Sequence, residues 1–199
     1  MSGVIRAIRG IRTAMAAPRR RAGRHAPQWA LQWALMLALG SGAASAQLGA
    51  SEASLKLAYL YNFAQFIDWP AELLPPGSPL RLCLLGADPF GAEADALASR
   101  RVRTHPVAVL RPTRSAELTS CHIAYTSGAQ GSARLLEGGP RSGLLVVSDD
   151  RGALRRGATI QFVLQNQRLR WHLDHETARQ QGLSVSAKLL ELSLPPPAP

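Results

Sequence analysis

Over its first 46 residues the chain has no acidic side chain, while Arg6, Arg9, Arg12, Arg19, Arg20, Arg21 and Arg24 all fall there. This one-sided stretch carries most of the formal net charge of +10. Without those seven arginines the balance falls from 23 basic and 13 acidic residues to 16 and 13, about +3. That is ordinary for a soluble domain and too weak for a polyphosphate-binding surface, so no nucleic-acid partner is expected. After Gln47 no apolar run is long enough to cross a bilayer, and direct membrane insertion of that part is not expected. Cysteine is scarce: Cys83 and Cys121 are the only two, and no second cysteine or histidine pair stands beside either to make a zinc site.

Catalytic templates are missing as well. The chain has no G-x-S-x-G elbow, no phosphate loop of the G-x-x-x-x-G-K-[S/T] kind and no G-x-G-x-x-G. After the first apolar strand stands Gly86-Ala87-Asp88-Pro89, which puts a carboxylate and a missing N–H where a pyrophosphate would rest. His175-Glu176-Thr177-Ala178-Arg179 has arginine where a zinc protease needs its second histidine. Asp149 and Asp150 are adjacent after a strand and read as turn residues. The expectation is therefore a protein that is not an enzyme, with no catalytic residue, no metal and no cofactor.

What is there begins with a leader. The arginines are followed by an apolar run from Trp29 to Leu39, then Gly40-Ser41-Gly42, then Ala44-Ser45-Ala46 ahead of Gln47. This is the order of a cleaved secretory signal peptide, with Met15 as an alternative start. An uncleaved anchor is the competing reading, but the run is short and broken by Gln32. We read 1–46 as the leader and 47–199 as a single domain ending in a proline-rich tail, Pro195 to Pro199. Export would place the chain in the periplasm, an oxidising space where an even cysteine count invites a disulfide. Two buried free thiols on neighbouring strands are the alternative.

Periodicity then predicts the elements. A helix capped by Ser51 or Ser54 runs to Trp69-Pro70, with Leu55, Tyr59, Phe63 and Phe66 along one side. Short apolar strands are read at 80–85, 107–110, 121–125 and 144–147, separated by weak helices at 90–99 and 134–137 and a helical turn at 116–118. The segments 159–164 and 168–173 flank Gln165-Asn166-Gln167 as a β-hairpin, and 177–181 and 184–192 close the chain as helical pieces. The expected fold is α/β: a three-layer domain with a mostly parallel sheet and an antiparallel hairpin near its C-terminus.

Two groups are candidates for function. Arg168, Arg170 and His172 share one face of a strand, with Asp174 at its end. Such a row is either a solvated edge or a pocket for a small anion, with arginine forks, a histidine donor and an aspartate to orient them. Tyr59, Tyr61, Phe63, Phe66 and Trp69 either pack the first helix into the core or form a dimer or partner interface.

Read in order, several words resemble the YfiR family of periplasmic regulators. They are the run from Leu57 to Pro70 (LAYLYNFAQFIDWP), the run from Leu82 to Phe90 (LCLLGADPF) and the strand Cys121-His122-Ile123-Ala124-Tyr125-Thr126-Ser127. Leu144-Leu145-Val146-Val147-Ser148-Asp149 and the closing Gly182 to Leu190 (GLSVSAKLL) complete the set. The resemblance implies a Rossmann-like fold, a homodimer, and a disulfide between Cys83 and Cys121. It also implies negative regulation of an inner-membrane diguanylate cyclase by holding its periplasmic domain, which lowers cyclic-di-GMP signalling and biofilm formation, with an outer-membrane lipoprotein as a further partner. The chain departs from the family in having no cysteines for a second bridge, and in Asp174, where relatives often carry asparagine.

Overall fold

The structure is a computed structural model that describes residues 43–197, so the leader read over 1–46 lies, up to position 42, outside the described residues. The first helix, α1 (Ala43–Gln65), starts well before Ser51 or Ser54. Alanine is the strongest helix former, and Ala43, Ala44 and Ala46 carry the helix past the predicted caps. Ser54 is an interior residue whose hydroxyl donates to Glu93 Oε2 at 2.7 Å. The helix also stops before Trp69-Pro70, because Ile67–Asp68 turns into a short strand, β1, that pairs antiparallel with Ser184–Val185, β9.

The centre of the molecule is a parallel sheet of β2 (Leu80–Leu85), β4 (His105–Leu110), β5 (Ile123–Thr126), β6 (Leu145–Ser148) and β7 (Ile160–Gln165). Their spatial order is β4-β2-β5-β6-β7. Antiparallel strands close both edges: β3 (Arg101–Val102) beside β4, and β8 (Arg168–Leu173) beside β7. Every residue of β5 and β6 is buried, the pattern of interior parallel strands covered on both faces. In β8 burial alternates, as its sequence requires of an edge strand. The β7–β8 turn is Asn166-Gln167, both left-handed at φ 50° and 59°, which matches the twist of a tight hairpin.

The two faces bury different residues. On one, Leu57, Leu60 and Phe63 of α1 meet Leu82, Tyr125 and Phe162 of the sheet. That core also takes in α2 (Ala92–Ala96) through Ala94, α4 (His175–Gln180) through Ala178 and α5 (Ala187–Leu192) through Leu189. On the other, α3 (Gly128–Leu136) and a 3₁₀ segment, Ser115–Ser120, set Leu135, Leu136 and Leu118 against Cys83, Ala124 and Val146. Each of the buried leucine, valine and phenylalanine side chains contributes about 1.5–3 kcal/mol of burial. The result is the expected three-layer α/β fold.

Local starts and stops differ from the sequence reading where distant residues intervene. The helix expected at 134–137 begins at Gly128, since Asp149 Oδ1 accepts from Gly128 N at 3.0 Å across a separation of 21 residues. The helix expected over 90–99 is split between α2 and a 3₁₀ turn, Leu97–Ser99. Asp88 caps the turn before it rather than the helix itself, accepting from Phe90 N at 2.8 Å and Gly91 N at 3.3 Å.

Candidate functional site

Strand alternation sets Arg168, Arg170 and His172 on the face of β8 opposite Leu169, Trp171 and Leu173. Arg168 is exposed, while Arg170 and His172 are half-buried. The outer edge of β8 is not bare: Leu194 forms a parallel bridge with His172, and its N–H donates to Trp171 O at 2.8 Å. His172 Nδ1 also contacts Pro195 O. A strap of chain thus covers backbone groups that an edge strand would otherwise present to another molecule. Asp174 does not orient this row. It is the N-cap of α4, accepting from Thr177 N at 3.0 Å and Thr177 Oγ1 at 2.9 Å.

His172 lines a cavity of about 570 Å³ bounded also by Lys56, Arg151, Arg155, Phe162 and Leu164, and Arg168 and Arg170 are not among its lining residues. Its floor holds a charge network absent from the sequence reading. Lys56 Nζ lies 2.8 Å from both Glu52 Oε1 and Asp149 Oδ2. Asp149 also accepts from Tyr125 OH at 3.0 Å. Burial alone would lower Lys56, but the Asp149 and Glu52 carboxylates outweigh it and hold the ammonium above its usual value. Burial would likewise raise Asp149, but the bonds from Lys56, Gly128 N and Tyr125 hold it below the usual carboxylate range. Burial and the neighbouring Asp149 carboxylate push the Tyr125 phenol far up. All three groups are driven away from neutrality, so the network braces the fold and is unsuited to general acid–base work near pH 7. The available signal was Lys56 itself, a lone charge between Leu55 and Phe63 in an otherwise apolar stretch of helix.

The aromatic group divides. Phe63 is 1% exposed, and its ring lies 5.7 Å from Phe162. Tyr59 packs 4.8 Å from Trp171. Phe63 belongs to the core, and Tyr59, half-buried, packs against it. Tyr61, Phe66 and Trp69 are half-buried in the same way and also pack against that core. Tyr61 OH donates to Arg101 O at 2.7 Å, and Trp69 Nε1 donates to Gly143 O at 2.9 Å.

Cys83 of β2 and Cys121, just ahead of β5, form a disulfide with Cα atoms 5.9 Å apart, which closes the reading of two free thiols. The bridge ties together neighbouring parallel strands, with both residues buried in the core on the α3 side. Across this same fold, residues 53–194 match the sequence profile of the YfiR/HmsC-like family. The chain belongs to that family. YfiR/HmsC-like proteins are periplasmic regulators of cyclic-di-GMP signalling and are not known as enzymes. No curated protein matches the chain. Among the described residues no helix is long and apolar enough to cross a membrane, and no cluster of His, Cys, Asp or Glu could hold a metal ion.

Proposed function

We propose that this YfiR/HmsC-like chain is a periplasmic negative regulator that binds the periplasmic domain of an inner-membrane diguanylate cyclase and holds its output down. In this reading residues 1–46 are a cleaved signal peptide, the domain over 47–199 works as a homodimer, and an outer-membrane lipoprotein is a further partner. The observation that carries the proposal is the family match spanning 53–194. The Cys83–Cys121 bridge supports it, because such bonds persist in oxidising compartments. Tyr59, Tyr61, Phe66 and Trp69 are half-buried rather than fully buried, and aromatics are enriched at the centres of interfaces.

The test is a titration of the purified chain against the periplasmic domain of a cyclase from the same genome, alongside cyclic-di-GMP levels in a deletion strain. Binding tighter than about 10 μM, with cyclic-di-GMP raised in the deletion strain and lowered again by restoring the gene, is expected. Absence of binding together with unchanged cyclic-di-GMP would overturn the proposal.

A second reading, a small-molecule sensor, has one observation in its favour: the cavity beside His172. A ligand that raises the melting temperature of the wild type but not of His172→Ala would favour this sensor, and an equal response from Arg170→Ala would extend it to the strand row.

A further inference from the structure

We propose that the crevice at the carboxyl ends of β2, β4 and β5 is a binding site for a small organic phosphate. The site does not depend on the chain's holding a cyclase, and it is separate from the cavity at His172.

Its position follows from the strand order. From β2 the chain crosses to β4 by way of α2, whose Ala94 lies in the α1-side core. From β4 onward it runs the opposite way across the sheet, through segments that bury Leu118 and Leu135 on the other side. The loops leaving β2 and β5 therefore part toward opposite faces, and open α/β sheets bind ligands in the crevice this reversal creates. The cavity found there has a volume of about 570 Å³, suited to a small molecule.

Its chemistry is cationic. Arg111, Arg114 and Arg134 line it, with Asp88 as the single acid. Asp88 is already committed: one oxygen accepts from Phe90 N and Gly91 N, the other from Arg111 Nε at 2.8 Å. Arg111 is further held by Asp95 Oδ1 at 2.6 Å, which makes it a fixed wall. Arg114 gives its Nε to Glu117 at 2.9 Å and leaves its terminal amino groups exposed. Arg134 has no carboxylate within ion-pairing distance among the described residues. Two guanidinium forks are thus open to an anion at one cavity.

At the foot of α3, Thr126 stands behind the crevice wall and does not itself line it. Thr126 is fully buried, and its hydroxyl has no hydrogen-bond partner among the described residues. It lies directly against Gly131 of the crevice wall, where a Cβ would come within 2.1 Å of Thr126 Oγ1. Thr113 and Ser127 also line the crevice, and the Ser127 hydroxyl donates to Ala87 O at 3.4 Å. Guanidinium groups carried by separate elements, Arg114 after β4 and Arg134 on α3, suit a tetrahedral oxyanion better than a flat carboxylate, which a single fork satisfies. The volume, and the apolar side chains of Leu84, Leu85 and Pro112, leave room for an organic body attached to it.

The test is calorimetry on the purified chain with 5′-AMP, ribose 5-phosphate, inorganic phosphate, succinate and adenosine. Both esters are expected to bind with Kd below about 1 mM and to weaken with salt. They should also shift the amide resonances of Gly86, Ser127 and Gly131. Arg114→Ala/Arg134→Ala should weaken ester binding at least about tenfold with an unchanged melting temperature, while Arg170→Ala leaves it intact. No binding of either ester at about 5 mM, unchanged affinity in the double variant, or equal affinity for succinate or inorganic phosphate would each overturn the proposal.

Discussion

Lys56 Nζ and Asp149 Oδ2 meet at 2.8 Å across 93 residues of sequence, joining α1 to the carboxyl end of β6. Asp149 also receives Tyr125 OH and Gly128 N, so one carboxylate organises a helix, two strands and the start of α3. Asp149→Asn keeps the shape but removes the charge, and Lys56→Met leaves the carboxylate without its ammonium. Each is expected to cost about 1–3 kcal/mol, the site's partial exposure keeping it below the value of a fully buried pair. The Asp149 contribution is present above its ordinary value of 3.8 and is lost as pH falls through the lower value it has in the fold. The Lys56 contribution is present below 10.5 and is lost as pH rises through its raised value. Urea midpoints should therefore separate wild type from Asp149→Asn at neutral pH and converge in strong acid.

The Cys83–Cys121 bridge closes a loop with a sequence separation of 38. Thiol titration of the unreduced, denatured chain should find no free thiol, and reduction should release two, the full complement of the sequence. Replacing both cysteines by serine should lower stability by about 2–4 kcal/mol, measured by denaturant unfolding.

His122 is 5% exposed and uses both ring nitrogens: Nδ1 accepts from Arg81 N at 3.0 Å, and Nε2 donates to Leu73 O at 3.0 Å. Burial, with Arg81 and His105 nearby, holds its pKa below 6.5 despite the bond to Leu73. A second proton would have to enter at Nδ1, against the Arg81 N–H. Stability is therefore full above pH 6.5 and falls as pH drops from there toward the depressed value. His122→Ala should lose about 2 kcal/mol at neutral pH and abolish that slope between mildly acidic and neutral pH.

N-terminal sequencing of the chain recovered from a periplasmic extract is expected to begin at Gln47, after Ala44-Ser45-Ala46. A chain retaining its arginine-rich leader in the cytosol would contradict the assignment of compartment.

Much of the fold could be read locally. The apolar runs around Leu82, Ile123 and Val146 announce buried strands, and the alternation of Leu169, Trp171 and Leu173 announces an edge. The short strands β1, β3 and β9 escaped because a two-residue strand carries no period to detect. At Asp174 two local signals compete. Its neighbours on the strand suggested a pocket, but Thr177, three residues on, offered the N–H and hydroxyl that made it a cap.

Side-chain period, turn chemistry and cysteine count act over a few residues, so composition and spacing alone determined the α/β class, a hairpin between 159–164 and 168–173 and the scarcity of thiols, whereas the pairing of Gln165 with Arg168 shortened its turn to Asn166-Gln167. Strand order, the meeting of Lys56 with Asp149 and the arginine-lined crevice were decided by tertiary structure. They depend on which way each crossover turns and which buried faces meet, and those choices are made by packing between segments far apart in the chain.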